Sequence, residues 1–173
     1  MTAAATKGSS MSEHTPDTID RLTGGKGADL KAARGTVWAG LEASHQALFG
    51  PDAIADITPA ERALVALAVS VWHADEPAAS FYATAALDAG ATDTDLAAAR
   101  AAARAGQGGA ERLAALLAHA HLLTFAPAEA SPAALQSLRD AGISEDGIIS
   151  ASQLIAYVAH QLRAAHVLRL IGA

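Results

Sequence analysis

Cysteine is absent from these 173 residues, and that absence excludes more than any motif present. Without a thiol there is no disulfide, no thiolate metal site and no thiol nucleophile. Aromatic residues are scarce as well, at 4%, although 51% of the chain is hydrophobic. Alanine and leucine supply the bulk of that hydrophobic content. Positive charge is also short: 12 Lys and Arg stand against 18 Asp and Glu, for a formal net charge of −6. A nucleic-acid surface needs clustered basic residues to displace counterions. The densest set here, Arg100, Arg104 and Arg112, reads instead as solvated helix faces.

No segment reaches the ~20 uninterrupted apolar residues of a membrane span. The opening MTAAATKGSSMSEHTPD has no apolar h-region of a secretory signal. Residues 1–15 are read as a disordered tail, with Met11 as a candidate alternative start. A cytoplasmic protein is expected, with neither nucleic acid nor membrane as partner. Gly24-Gly25-Lys26-Gly27 follows no strand, so it reads as a helix-breaking turn rather than a phosphate loop. No His, Asp and Glu set has zinc or iron spacing. Neither a metal nor a cofactor is expected.

What the chain does have is helix punctuation. Thr15-Pro16 opens a short helix closed by Thr23-Gly24-Gly25. A longer helix is expected from about Ala28 to Phe49, with Leu30, Ala33, Val37, Leu41 and Leu48 on one face and Gly50-Pro51 as its stop. Thr58-Pro59-Ala60-Glu61 is a capping box with proline at the first helical position. The helix behind it, LVALAVSVW, is apolar nearly all round and should be central. Pro77 opens the next helix and Gly90 closes it. Further helices run from Thr92 to about Gly106, Glu111 to Phe125, Ser131-Pro132 to Asp140, and Ser144 to about Leu170, with a loose connection at Gly106–Gly109. Nothing reads as strand, so the expected fold is all-α.

A repeat underlies these helices. DAGATDTDL at 88–96 matches DAGISEDGI at 140–148, and ERALVALA at 61–68 matches ERLAALLA at 111–118. The expected domain is therefore a single one over 16–173. It comprises N-terminal helices and two pseudo-symmetric three-helix repeats, at about 58–105 and 110–170.

The run from Glu61 to Leu96, through RALVALAVSVW and EPAASFYATAALDAG, resembles the carboxymuconolactone decarboxylase domain shared with alkylhydroperoxidase D. The closing SQLIAYVAHQLRAAHVLRLIG is similar to the last helix of the longer, peroxidase-related members, and DTIDRLTGG adds to the likeness. It extends over about residues 17–172. The resemblance implies an all-α, alkylhydroperoxidase-D-like fold and a homo-oligomer, with the site on the 72–90 hairpin. In the peroxidase branch a glutamate, a Cys-x-x-Cys pair and a histidine form a proton relay. Those positions fall on Ala63, Asp75, Ala78 and Tyr82, so every relay group is missing. The thiolate that would reduce a peroxide is excluded. The decarboxylase branch has histidine and arginine where this chain has Tyr82 and Thr84, and threonine cannot replace the cation.

Several residues remain as candidates for chemistry or binding. Tyr82 holds the histidine position; its hydroxyl either serves a ligand or meets an internal partner, as buried tyrosines do. Asp75 is a candidate base or a helix cap. His73 could polarise a ligand carbonyl or be a bystander, and Trp72 and Phe81 are core or pocket wall. His119 and His121 lie about 200° apart on one helix, so they cannot share a metal; one of them should enter the interior and find a partner. Arg163 could supply the missing cation from the last helix or form a salt bridge.

These readings give Tyr82, His121 and Asp75 as catalytic candidates, and Trp72, His73, Phe81 and Arg163 as ligand-binding ones, around a small apolar pocket near Tyr82, Trp72 and His121. The function expected first is binding of a small organic ligand, or an accessory role beside a peroxidase of the same superfamily in an oxidative or catabolic pathway. A thiol-independent enzyme on a small lactone or oxo-acid, with Tyr82 as acid and His121 or His73 as base, is the alternative. A scaffold for assembly is the third.

Overall fold

The computed structural model describes residues 15–105 and 111–173; nearly all of the expected tail and the Gly106–Gly109 connection lie outside them. Among the described residues the chain is all helix and turn, without strand. Helix α1 (Thr18–Thr23) begins at Asp17, whose side chain accepts from the Asp20 amide, and ends at Gly24 in the left-handed region. Then come α2 (Ala28–Ala32), α3 (Gly35–Phe49), α4 (Pro59–Trp72) and α5 (Glu76–Asp88). They are followed by α6 (Asp93–Ala105), α7 (Glu111–Phe125), α8 (Pro132–Asp140) and α9 (Glu145–Ile171). A short 3-10 turn at Pro127–Glu129 links α7 to α8.

Helix α4 is the axis, and its packing follows from its sequence. Every residue from Arg62 to Ser70 is buried, because a stretch apolar on all sides is stable only with neighbours on all sides. Those neighbours are α5, α6, α7 and α9. Leu67, Leu116, Leu117, Leu154 and Leu162 are among the fully buried side chains, each contributing about 1.5–3 kcal/mol by leaving water. The Thr58 capping box forms as its sequence predicts: Thr58 Oγ1 accepts from the Glu61 amide at 3.2 Å, and Glu61 Oε2 accepts from the Thr58 amide at 2.8 Å. The other carboxylate oxygen of Glu61 takes the Arg112 Nε proton at 2.8 Å, pinning α4 to α7.

One expected element is divided. The helix predicted over 28–49 breaks between α2 and α3, where Arg34 leaves helical geometry (φ −133°, ψ 42°) just before Gly35. Glycine has more backbone freedom to lose in a helix than any other residue, so a helix that meets one at the wrong place tends to restart there. The predicted apolar face divides too. Leu41 is buried and Leu48 half-buried, but Leu30 and Val37 are exposed. Among the described residues no helix is long and apolar enough to cross a membrane.

Candidate functional site

The turn between α4 and α5 carries the most chemistry. Helix α4 caps at His73, α5 starts from Asp75, and Ala74 between them adopts φ +53°, the only positive φ outside glycine among the described residues. Left-handed geometry brings Cβ against the following carbonyl and costs alanine about 1–2 kcal/mol. Such strain persists only when the surroundings over-determine it. Here three backbone bonds do so: His73 N–H to Val69 O at 3.1 Å, Ala74 N–H to Val71 O at 3.1 Å, and Asp75 N–H to Ser70 O at 3.0 Å.

Asp75 is 6% exposed. Its Oδ1 accepts from the Ala78 amide at 3.2 Å, the expected cap. Its Oδ2 accepts from Arg169 Nη2, near the end of α9. Arg169 Nη1 also donates to the Leu22 carbonyl at 3.0 Å, so one guanidinium joins α1, the α4–α5 turn and α9. His73 Nδ1 lies 2.9 Å from the Val69 carbonyl oxygen. A carbonyl only accepts, so Nδ1 carries the proton, and Nε2 of the neutral ring is left as an acceptor.

Beside this turn lies a hollow of about 440 Å³, lined by His73, Ala74, Asp75, Leu162, Arg163, His166 and Val167. Its nitrogen-bearing side chains come from two elements far apart in sequence. Arg163 is exposed and has no ion pair within the chain among the described residues. Across Ala74 and Asp75 a second hollow, of about 700 Å³, reaches Glu76 and Arg100.

Tyr82 lies elsewhere. It is 0% exposed, and its hydroxyl donates to Gln161 Oε1 at 2.5 Å. Gln161, also fully buried, donates from Nε2 to the Tyr157 hydroxyl at 2.8 Å. Phe49 stacks on Tyr82 at 5.5 Å between ring centroids, and Phe81 meets it edge-on at 5.0 Å. His45 adds to this group, stacked on Phe49 at 4.7 Å. Burial pushes the Tyr82 phenol well above its ordinary value near 10, and the neighbouring Tyr157 adds to the shift. The proton therefore stays on Tyr82, committed to an internal acceptor.

His121 belongs to a third group. Its ring meets Trp72 edge-on at 5.4 Å, and Phe125 packs on both, 4.7 Å from His121 and 5.8 Å from Trp72. His121 is exposed, whereas His119 is the one that enters the interior. Ser152 Oγ donates to the Ile148 carbonyl at 2.8 Å and accepts from His119 Nε2 at 2.9 Å.

The pocket expected near Tyr82, Trp72 and His121 therefore does not assemble. Trp72 and His121 do meet, but Tyr82 and Phe81 sit in the buried cluster with Gln161. The residues brought together around a hollow are His73, Asp75 and Arg163. Sequence reading missed His166, Arg169 and Gln161. Gln161 stands in the buried register of α9 with Leu154, Val158 and Ala165, four residues after Tyr157, and that spacing was the available signal. Of the relay positions, Ala63, Ala78 and Tyr82 are buried in the core, and Asp75 borders a hollow.

Residues 39–121 match the model of the Carboxymuconolactone decarboxylase family. The matched span supplies the α4–α5 turn but not α9, so Arg163, His166 and Arg169 lie beyond it. No curated protein matches the chain.

Proposed function

Because the chain carries a carboxymuconolactone decarboxylase family domain and has no cysteine, we propose that it binds a small organic anion, in a ligand-binding or accessory role. Thiol peroxidase chemistry is excluded by composition alone. The observation that carries the proposal is the hollow where His73, Arg163 and His166 converge on the strained turn. Arg163 offers an uncommitted planar donor fork, which suits a carboxylate. The neighbouring Asp75 carboxylate does not repel an anion strongly, because Arg169 already neutralises it. On a chain of net charge −6, the Arg163 charge at this hollow also favours the approach of an acidic ligand.

The test is a thermal-shift screen of the purified chain against small carboxylates, lactones and their neutral analogues, repeated on Arg163→Ala. A ligand at 100 times its dissociation constant adds about 2.7 kcal/mol, a rise of roughly 5–11 °C for a domain of this size. Carboxylates should raise the melting temperature and Arg163→Ala should abolish the rise. Silence across the panel, or a rise that survives Arg163→Ala, sinks the reading.

One observation favours a second reading, a thiol-independent enzyme. His73 has its Nδ1 proton fixed on the Val69 carbonyl, so Nε2 is available at the hollow as a general base. The acid role expected of Tyr82 falls away, since its hydroxyl is buried and bonded to Gln161. Turnover of a small lactone or oxo-acid that His73→Gln removes while anion binding survives would distinguish this reading from binding alone.

A further inference from the structure

The His73–Arg163–His166 hollow has an apolar neighbour. A further hollow, of about 500 Å³, lies between α2, α3 and the end of α9, lined by Leu30, Trp38, Val167, Leu168 and Ile171. Val167 lines both, so the two hollows meet at that side chain. Helix α9 sets the order of groups along them. Arg163, Val167 and Ile171 follow one another at intervals of four residues, the spacing that places side chains on one helix face. The row leads from a guanidinium to apolar groups over about 12 Å of helix. Leu30, Val167 and Ile171 are 45%, 51% and 63% exposed. Apolar surface left open beside a cation is what an amphiphilic anion covers.

We propose that the anion bound at the His73–Arg163–His166 hollow carries an aliphatic chain, which passes Val167 and lies in the apolar hollow. This ligand class rests on the small-anion reading and narrows it to carboxylates with an aliphatic tail. Charge sets the direction. The apolar hollow has no acidic residue in its lining and one basic residue, Arg34. Arg163 has His73 and His166 beside it in the neighbouring hollow, whereas Arg34 has no such companions. The carboxylate head therefore sits at Arg163 and the tail points towards Leu30 and Ile171. A cationic head would find no free partner, because Asp75, the carboxylate of these linings, is held by Arg169. A polar tail would gain nothing from Leu30, Leu168 and Ile171, whereas each methylene laid against them leaves water.

The experiment is calorimetric titration of the full-length chain with straight-chain monocarboxylates from propanoate to octanoate, with circular dichroism to verify that each variant folds. Affinity should rise about three- to fourfold per added methylene, the gain expected of a buried CH₂. Leu30→Ser and Ile171→Ser should each flatten that rise and leave propanoate binding unchanged. Ile149→Ser, exposed elsewhere on α9, should alter neither. Arg163→Ala should weaken every acid, whereas Arg34→Gln should leave the series as it is. A flat series with propanoate still held by Arg163 overturns the tail and leaves the small-anion reading standing, whether solvent or a second copy of the chain covers the apolar hollow. A rise that survives Leu30→Ser and Ile171→Ser, or one flattened equally by Ile149→Ser, places the tail elsewhere and overturns it too. So does binding that Arg34→Gln removes and Arg163→Ala spares. Failure of every acid to bind, short and long, ends the small-anion reading and the tail with it.

Discussion

Asp75, which starts α5, and Arg169, near the end of α9, are joined by an ion pair across 94 residues of chain. The carboxylate is nearly inaccessible and the guanidinium largely covered, with side-chain exposures of 5% and 19%. The same carboxylate caps α5, and the same guanidinium holds the Leu22 carbonyl. The pair thus fastens both walls of the candidate hollow together.

Removing one partner should therefore be far worse than removing both. Arg169→Gln leaves a buried carboxylate facing only the Ala78 amide, and should lower stability by about 3 kcal/mol. The double variant with Asp75→Asn should recover a substantial part of that loss. Urea denaturation of the two single variants and the double closes the cycle, and additive losses would show that the pair is not coupled.

Ala74 gives a prediction of opposite sign. Glycine adopts φ +53° freely, so Ala74→Gly relieves about 1–2 kcal/mol of strain and gives back about 0.5–1 kcal/mol through the more flexible unfolded chain. A net gain of up to about 1.5 kcal/mol is expected, read as a higher melting temperature. Ala74→Val, β-branched at the same backbone angle, should destabilise. A glycine variant that melts lower would show that the methyl group packs usefully.

Tyr82→Phe removes the hydroxyl and leaves Gln161 Oε1 buried without its donor. The loss should be about 1–3 kcal/mol, with anion binding at the His73–Arg163–His166 hollow unaltered. Ligand titration of the variant separates the two effects. A lost binding isotherm in a well-folded Tyr82→Phe would return Tyr82 to the site.

Two histidines set a pH dependence. Burial holds His45 below the ordinary histidine range, opposed by the Glu42 carboxylate, and burial alone lowers His119. Each ring has a buried Nδ1 without a partner. The folded state therefore resists a proton that the unfolded chain accepts. Stability is complete above the unfolded value of about 6.5 and falls as pH drops below it. Urea midpoints should be lower at about pH 5.5 than at about pH 7.5, and His45→Phe should flatten the difference. A midpoint that rises on acidification contradicts the assignment.

Much of the fold was legible because its causes are local. Thr58 through Glu61 states a helix start, Asp75 caps α5, and Ser131 and Ser144 cap α8 and α9 through side-chain oxygens that reach the third amide. The continuous apolar run of α4 announced a central helix, since no partly exposed position could hold it. The break at Arg34–Gly35 was not legible: two glycines in an apolar pattern lower helix stability without saying where it gives way.

The site divides along the same line. The sequence by itself determined the helices, their caps, the buried character of α4 and the absence of thiol chemistry, because each depends on residues a few positions apart or on composition. Only the tertiary structure decided that His73 and Asp75 face Arg163 and His166, that Arg169 answers Asp75, and that Tyr82 turns inward to Gln161. The Tyr82–Gln161 and Asp75–Arg169 pairings join segments 79 and 94 residues apart. They are set by how α9 crosses the α4–α5 hairpin, a packing geometry to which many side chains contribute and which no short stretch of sequence encodes.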